Sequence, residues 1–241
     1  MSLHLATIKS VLFPIHKAGR IFVAIFALLS LIIGWIWTPL LFIGIILTAW
    51  CALFFRDPSR VTPLGEGLII APADGVVQSI IQIKPPPELM MDDEPKTRIS
   101  IFMNVFDVHV NRAPVTGRVK RLTYRPGKFF DASLDKASED NERQGLIFET
   151  TDGCEIGCVQ IAGLVARRIL CEVNEEQEMH AGERIGMIRF GSRVDIFVPA
   201  HARTLVIEGQ RAVAGETIIA DFEAGEGLSL IHISEPTRRR T

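Results

Sequence analysis

Met187-Ile188-Arg189-Phe190-Gly191-Ser192-Arg193-Val194-Asp195-Ile196-Phe197-Val198 places two apolar, alternating half-strands on either side of a Gly-Ser dipeptide. Alternation with a period of two marks a β-strand, and a glycine inside such a pattern commonly means a bulge. A hydroxyl beside an unhindered glycine carbonyl also offers a chemical step. Both readings of Gly191-Ser192 stand on local sequence alone.

Outward from this stretch the β texture continues in short runs: Leu68–Ala71, Val76–Ile83, Arg98–Val105, Arg118–Tyr124, Leu146–Thr151, Glu155–Ile161, Val165–Val173, Ile185–Phe190, Val194–Val198, Thr204–Ile207 and Thr217–Ala220. Turn residues separate them at the spacing of a barrel or sandwich. The fold class is therefore mainly β, a hybrid-barrel or sandwich-like domain over residues 61–227. The polar run 131–143 reads as an insert, and Lys84-Pro85-Pro86-Pro87 as an exposed loop. A weak echo links Ala181-Gly182-Glu183-Arg184-Ile185 to Ala214-Gly215-Glu216-Thr217-Ile218, in the manner of the Gly-Glu turns of lipoyl-type hybrid barrels.

The amino-terminal part differs in kind. Ile21–Trp37 carries no charge, and after Thr38-Pro39 the apolar run resumes over Leu40–Phe55. Each run is slightly short of the ~20 residues that span a bilayer, and Gly34, Pro39 and Gly44 favour a break, so residues 21–55 are expected to form a transmembrane helical hairpin. Arg20 flanks one end and Arg56 with Arg60 the other, which puts both on the cytoplasmic face. A buried core hairpin is the alternative; a signal peptide is disfavoured by the length of the apolar stretch and by the lack of a small-residue cleavage site. Residues 1–20 form a basic lead-in, and Arg56-Asp57-Pro58-Ser59-Arg60-Val61-Thr62-Pro63 a polar boundary.

The formal net charge is −2. The stretch Leu228–Arg238 resembles the translation of a sequencing adapter, and residues 228–241 are set aside as a non-native tail. Three of the arginines lie there, so the remainder is more acidic and lacks the basic tract that nucleic-acid binding needs. Cys51, Cys154, Cys158 and Cys171 form no CxxC pair or dense framework, which fits unpaired thiols in a reducing compartment.

Three polar points stand out from the β background: Asp74 in Pro72-Ala73-Asp74-Gly75, His109 in Asp107-Val108-His109-Val110-Asn111-Arg112-Ala113-Pro114, and Ser192. Carboxylate, imidazole and hydroxyl are the parts from which a nucleophile is activated. Each also has an ordinary reading: turn chemistry for Asp74-Gly75, a hydrogen-bonded core histidine for His109. Asp107 and His109 have strand spacing for a metal, but no cluster completes a site, so none is assigned.

Together these features closely resemble the short, archaeal-type class of phosphatidylserine decarboxylases. The likeness runs over about residues 10–225 and rests on Pro72–Gly75, Asp107–Pro114 and Phe190-Gly191-Ser192-Arg193-Val194-Asp195. It implies a proenzyme that cuts itself between Gly191 and Ser192: the serine hydroxyl attacks the Gly191 carbonyl, the resulting ester eliminates, and hydrolysis leaves a covalent pyruvoyl group on residue 192. The products would be a large chain, 1–191, and a small chain, 192–241. The ketone would take up the electrons released as CO2 leaves phosphatidylserine, with His109 as general acid and Asp74 serving self-cleavage. In longer bacterial relatives a second histidine, three residues on, belongs to the self-cleavage triad. Here that position is Arg112, so the activator of Ser192 is left open. Arg112 and Arg193 are read as contacts to substrate carboxylate or phosphate, with exposed salt bridges as the alternative. The resemblance further implies residence in the cell (inner) membrane with the catalytic domain on the cytoplasmic face, phosphatidylserine and the bilayer as partners, no nucleic acid, and association of the two processed chains; a homo-oligomer is left open. The rival classes are a membrane-tethered metallohydrolase and a lipoyl-like carrier or adaptor module. For a carrier, the only Asp-Lys pair, Asp135-Lys136, falls in the polar insert rather than at a hairpin tip.

Overall fold

The computed structural model describes residues 13–127, 141–163, 168–189 and 192–223. Phe190, Gly191, Asp135-Lys136 and the tail 228–241 lie outside the described residues, as do most of the basic lead-in and of the polar insert.

Helix α1 spans Lys17–Ile36 and helix α2 Thr38–Phe54. A single extended residue, Trp37, separates them, with Pro39 in the first turn of α2, where its missing N–H costs nothing. The helix pair thus starts four residues before the charge-free run and breaks one residue before Thr38-Pro39. The helices meet through small and polar residues. Ser30 Oγ donates to Phe26 O at 2.6 Å and faces Thr48 Oγ1 at 3.3 Å, while a Cβ on Gly44 would stand 2.3 Å from Ser30 Oγ. The rest of the pair is uncovered: Leu31, Trp35, Ile36, Phe42 and Ile46 are all more than half exposed. By length and composition α1 is able to cross a membrane, and α2 is slightly shorter.

The ends of the pair are joined to each other and to the β domain. Ile15 bridges Arg56, His16 N donates to Phe55 O and Asp57 N to Pro14 O, both at 2.8 Å. Phe22 stacks on Phe55 with centroids 5.5 Å apart. Asp57, expected in a polar boundary, is instead a buried hub that accepts from Arg112 and from Arg184 Nε at 2.6 Å.

The β domain comprises β1 (Leu68–Ile70), β2 (Gly75–Ile83), β3 (Lys96–Met103), β4 (Val110–Arg112), β5 (Gly117–Arg125), β6 (Arg143–Glu149), β7 (Glu155–Ala162), β8 (Ile169–Cys171), β9 (Glu178–Met179), β10 (Arg184–Ile188), β11 (Ser192–Pro199), β12 (Arg203–Thr204), β13 (Arg211–Ala212) and β14 (Ile218–Asp221). Eight form one sheet in the order β13-β2-β3-β11-β7-β6-β5-β9; β4-β10-β8 and β1-β14-β12 form two small sheets. Irregularities at Val77/Ser79 and Val119/Arg121 break the register, and such bulges increase local bend and twist, consistent with a sheet curled into a half-barrel. The mainly β expectation holds. Gly75 opens β2 because a Cβ there would stand 2.1 Å from Phe102 O.

The sequence echo has a structural meaning. Gly182 and Gly215 both adopt positive φ, 82° and 76°, a conformation open to glycine. Gly182 N donates to Ala113 O and Gly215 N to Ala71 O; Arg112 N donates to Pro72 O and Ile70 N to Pro114 O. Two Ala-Pro segments thus cross each other, each closed by its own Gly-Glu turn.

Strand β11 is central and buried along its length. Ser192, Val194 and Ile196 lie opposite Met103, Ile101 and Ile99 on β3, and opposite Ala162, Gln160 and Cys158 on β7. Cross-strand partners share a face and successive residues alternate, so Ser192 and Gln160 face the main core with Met103 and Ala162. Arg193, Asp195 and Phe197 take the other face, where Val159, Ile161, Phe197 and Leu89 form a second cluster. The four cysteines are free.

Candidate active site

Ser192 begins β11 with no exposed surface, and its Oγ has no hydrogen-bond partner among the described residues. A buried hydroxyl without a partner carries a desolvation cost, so its presence calls for an explanation beyond packing.

His109 lies just before β4 and is also fully buried. Its Nδ1 is 3.0 Å from Asp107 O. A carbonyl only accepts, so Nδ1 carries the hydrogen and Nε2 presents a lone pair. Nε2 has no partner. The ring packs against Phe54, at the end of α2, with centroids 4.2 Å apart. Burial pushes the imidazole down to about 4, partly opposed by Asp107, and nearby Arg56 pushes it further down. His109 is accordingly neutral at physiological pH, with the lone pair of Nε2 available.

This depressed value has a consequence for stability. The unfolded chain takes up the imidazole proton near 6.5 and the folded chain only near 4, so between those values the unfolded state binds more protons. Stability is lost as pH falls through that window, by about 3 kcal/mol from this group. In detergent, the urea midpoint of the wild type is expected to drop more steeply from neutral to acid pH than that of His109→Gln. Parallel slopes would show that His109 is not buried as a neutral ring.

His109 and Ser192 are tied through their strands. Ile188 N donates to His109 O at 3.2 Å, four residues before Ser192. Asn111, two residues after His109, places Nδ2 3.6 Å from Sδ of Met103, the cross-strand partner of Ser192, and accepts from Gln160 Nε2 at 2.7 Å. Asn111 and Gln160 are fully buried. Sequence reasoning missed this pair, although a signal existed: Gln160 shares the parity of Ile156, Cys158 and Ala162, a polar residue at a core-facing position. Removing one partner leaves a buried amide unsatisfied, which costs about 1–3 kcal/mol. Asn111→Leu and Gln160→Leu should each lower stability by that order, and the double variant by less than their sum, as a denaturation cycle would read; additivity would mean the bond is inconsequential.

Asp74 is almost fully buried, but it is not bonded to His109. It accepts from Arg60 Nη2 at 3.0 and 2.8 Å through its two oxygens and from Ala214 N at 2.7 Å. Burial pushes its carboxyl up, opposed by the Arg60 guanidinium and the Ala214 N–H. The group that orients His109 is thus the Asp107 carbonyl, whose own carboxylate binds Asn104 N and Arg211.

The two arginines expected at the substrate are engaged within the fold. Arg112 donates to Gly182 O at 2.8 Å, Pro58 O at 2.9 Å and Asp57 at 3.3 Å. Arg193 pairs with Asp195, Nη2 to Oδ2 at 3.0 Å and Nε to Oδ1 at 2.9 Å, on the face of β11 opposite Ser192. Two cavities of about 710 and 520 Å³ open elsewhere, one along Thr62–Leu68 and the other beside Asp195 and Arg98, and neither is lined by Ser192 or His109.

The fold is a curled antiparallel sheet whose central strand opens on an inward serine, with a neutral imidazole just before a strand of the adjoining small sheet. The sequence model of the family described as phosphatidylserine decarboxylase matches residues 47–220, from within α2 to β14, and the chain belongs to that family. It is therefore a carboxy-lyase that decarboxylates phosphatidylserine, a step of phospholipid biosynthesis. The metallohydrolase and carrier alternatives give way to this assignment.

Proposed function

We propose that the chain is a self-processing proenzyme in which Ser192 is first the nucleophile and then the source of a covalent pyruvoyl group. The observation that carries this reading is a pair of buried polar atoms, Ser192 Oγ and His109 Nε2, that have no partner among the described residues and stand on segments tied to each other through Ile188 and through Asn111 and Met103. In the first step Ser192 Oγ attacks the Gly191 carbonyl carbon and its proton passes to His109 Nε2. The amide nitrogen of residue 192 leaves, protonated, and an ester joins Gly191 to the serine oxygen. Loss of the serine α-proton then expels the Gly191 carboxylate, and hydrolysis releases ammonia. Asp74, locked by Arg60 and Ala214, supplies fixed negative charge to this region rather than a direct bond to the imidazole.

The pyruvoyl ketone, once formed, supplies the electron sink for decarboxylation. The chain's residues fit such a group: residue 192 is enclosed on β11, and among the described residues no hydrogen bond restrains the Oγ that must leave with the Gly191 carboxylate, the ketone oxygen then coming from the water that releases ammonia. His109 Nε2 would then hold and deliver the proton that replaces CO2 on the substrate α-carbon. Arg112, beside Arg60 and Arg184, contributes positive charge to the region that takes the anionic headgroup; Arg193 we assign to holding the sheet through Asp195.

The helix pair we read as the membrane anchor, crossing twice so that the β domain stays on the cytoplasmic face of the cell membrane. Its support is the uncovered Leu, Ile, Phe and Trp surface of α1 and α2, which water would not leave unpartnered on a monomer. The lead-in 1–20, the anchor and the domain 61–227 are the units of this reading.

The test is reductive trapping. Borohydride added during turnover should couple the substrate amine covalently to the small chain, visible as an increase in that fragment's mass, with loss of activity. Turnover that survives borohydride without such an adduct would contradict a pyruvoyl group.

A further inference from the structure

The loop that carries His109 has a second feature. Asn104-Val105-Phe106-Asp107 is a turn closed on itself: Asp107 N donates to Asn104 O at 3.0 Å, Asn104 N to Asp107 Oδ2 at 2.9 Å and Phe106 N to Asn104 Oδ1 at 2.8 Å. At its tip Phe106 is 69% exposed and Val105 36%. A turn pinned by three such bonds holds its tip in place, so the phenyl ring is displayed rather than left over. Arg56 fixes where it is displayed. One guanidinium nitrogen donates to Leu53 O, in the last turn of α2, and the other to Phe106 O, each at 2.7 Å. The tip therefore stands beside the end of the apolar helix pair, with exposed Phe13 two residues before the Ile15–Arg56 bridge.

From this geometry we infer that Val105-Phe106 is a second membrane contact, which enters the headgroup layer of the bilayer beside the helix pair. The inference rests on reading that pair as the membrane anchor. The end of an apolar helix marks the boundary between hydrocarbon and headgroups, and an aromatic ring at that level is stabilised there. Arg56 is bound to the same tip, and Arg211, whose side chain is 60% exposed, is bound to Asp107, so cations adjoin the ring, where they favour anionic lipid. The turn also connects lipid to chemistry. Its last residue, Asp107, provides the carbonyl that orients His109, and His109 packs on Phe54 at the anchor's exit. Phosphatidylserine would thus reach the imidazole laterally from the leaflet, along a surface made by α2 and the Val105-Phe106 tip.

The test places a tryptophan at the tip. In full-length protein with Trp35, Trp37 and Trp50 changed to phenylalanine, Phe106→Trp is reconstituted into nanodiscs of phosphatidylcholine and phosphatidylserine. Emission blue-shifted from that of indole in water, and quenched by lipids brominated near the headgroup, is the expected result. Emission of a water-exposed indole, untouched by brominated lipid, overturns the inference. This readout needs no activity, so it can fail while the decarboxylase reading stands. A second variant, Phe106→Ser, should raise the ratio of the KM for vesicle-borne to that for monomeric short-chain phosphatidylserine by about tenfold, the scale of losing part of one buried phenyl ring. An unaltered ratio counts against the inference.

Discussion

Ser192→Ala is expected to give a single uncut chain with no detectable decarboxylation. The substitution removes an oxygen that makes no hydrogen bond among the described residues and leaves the backbone pairing of β11 with β3 and β7 in place. Stability should therefore be near that of the wild type, which separates loss of chemistry from loss of fold. Two functions disappear at once: the nucleophile that cuts the chain and the ester leaving group whose elimination opens the way to the ketone. Enzymatic accelerations of about 10⁶-fold or more depend on such groups, so the effect should be total within the sensitivity of a CO2-release assay. Electrophoresis and circular dichroism on the same preparation read both halves of the prediction. A variant that is still cut, or that still decarboxylates, would remove Ser192 from the centre of the mechanism.

The second large effect belongs to His109. Glutamine approximates the bulk of the ring against Phe54 but has no basic nitrogen, so His109→Gln tests proton transfer with limited cavity cost. General-base contributions are about 10²–10⁴-fold, and self-cleavage should slow by that order in a pulse-chase measurement. Whatever fraction is processed should also decarboxylate poorly, because the same Nε2 is asked to return a proton. Cleavage at the wild-type rate with lost decarboxylation would confine His109 to the second step. Full activity in both would remove it from the site. The question arises because Arg112 stands where a second histidine was expected. Arg112 is held by Asp57, Pro58 and Gly182 and has no lone pair to offer, so the proposal gives that part to Nε2 of His109.

Some of this was legible in the sequence and some was not, for physical reasons. The long strands were, because seven to nine residues are enough for a period of two to show. Strands β4, β9 and β13 have two or three residues, too few for any period, and are held by their neighbours. Ser192, His109 and Asp74 were legible as chemically distinct residues in an apolar background. Their partners were not: Arg60 and Asp57 sit in what reads as a polar boundary, yet both fold back onto buried charges at Asp74 and Arg112. Asn111 and Gln160 are 49 residues apart, and only the core-facing parity of Gln160 hints at the pair. Arg193 illustrates the reverse case. Its guanidinium was read as a contact to substrate anion, whereas strand alternation turns it to the face opposite Ser192, where it pairs with Asp195.

The measurement that bears most directly on the central claim is the intact mass of the purified wild-type protein. The account predicts two polypeptides, residues 1–191 and 192–241, the smaller one without a free amino group at its start and reactive toward hydroxylamine. A stable, full-length chain of 26.8 kDa that nevertheless decarboxylates phosphatidylserine would contradict it.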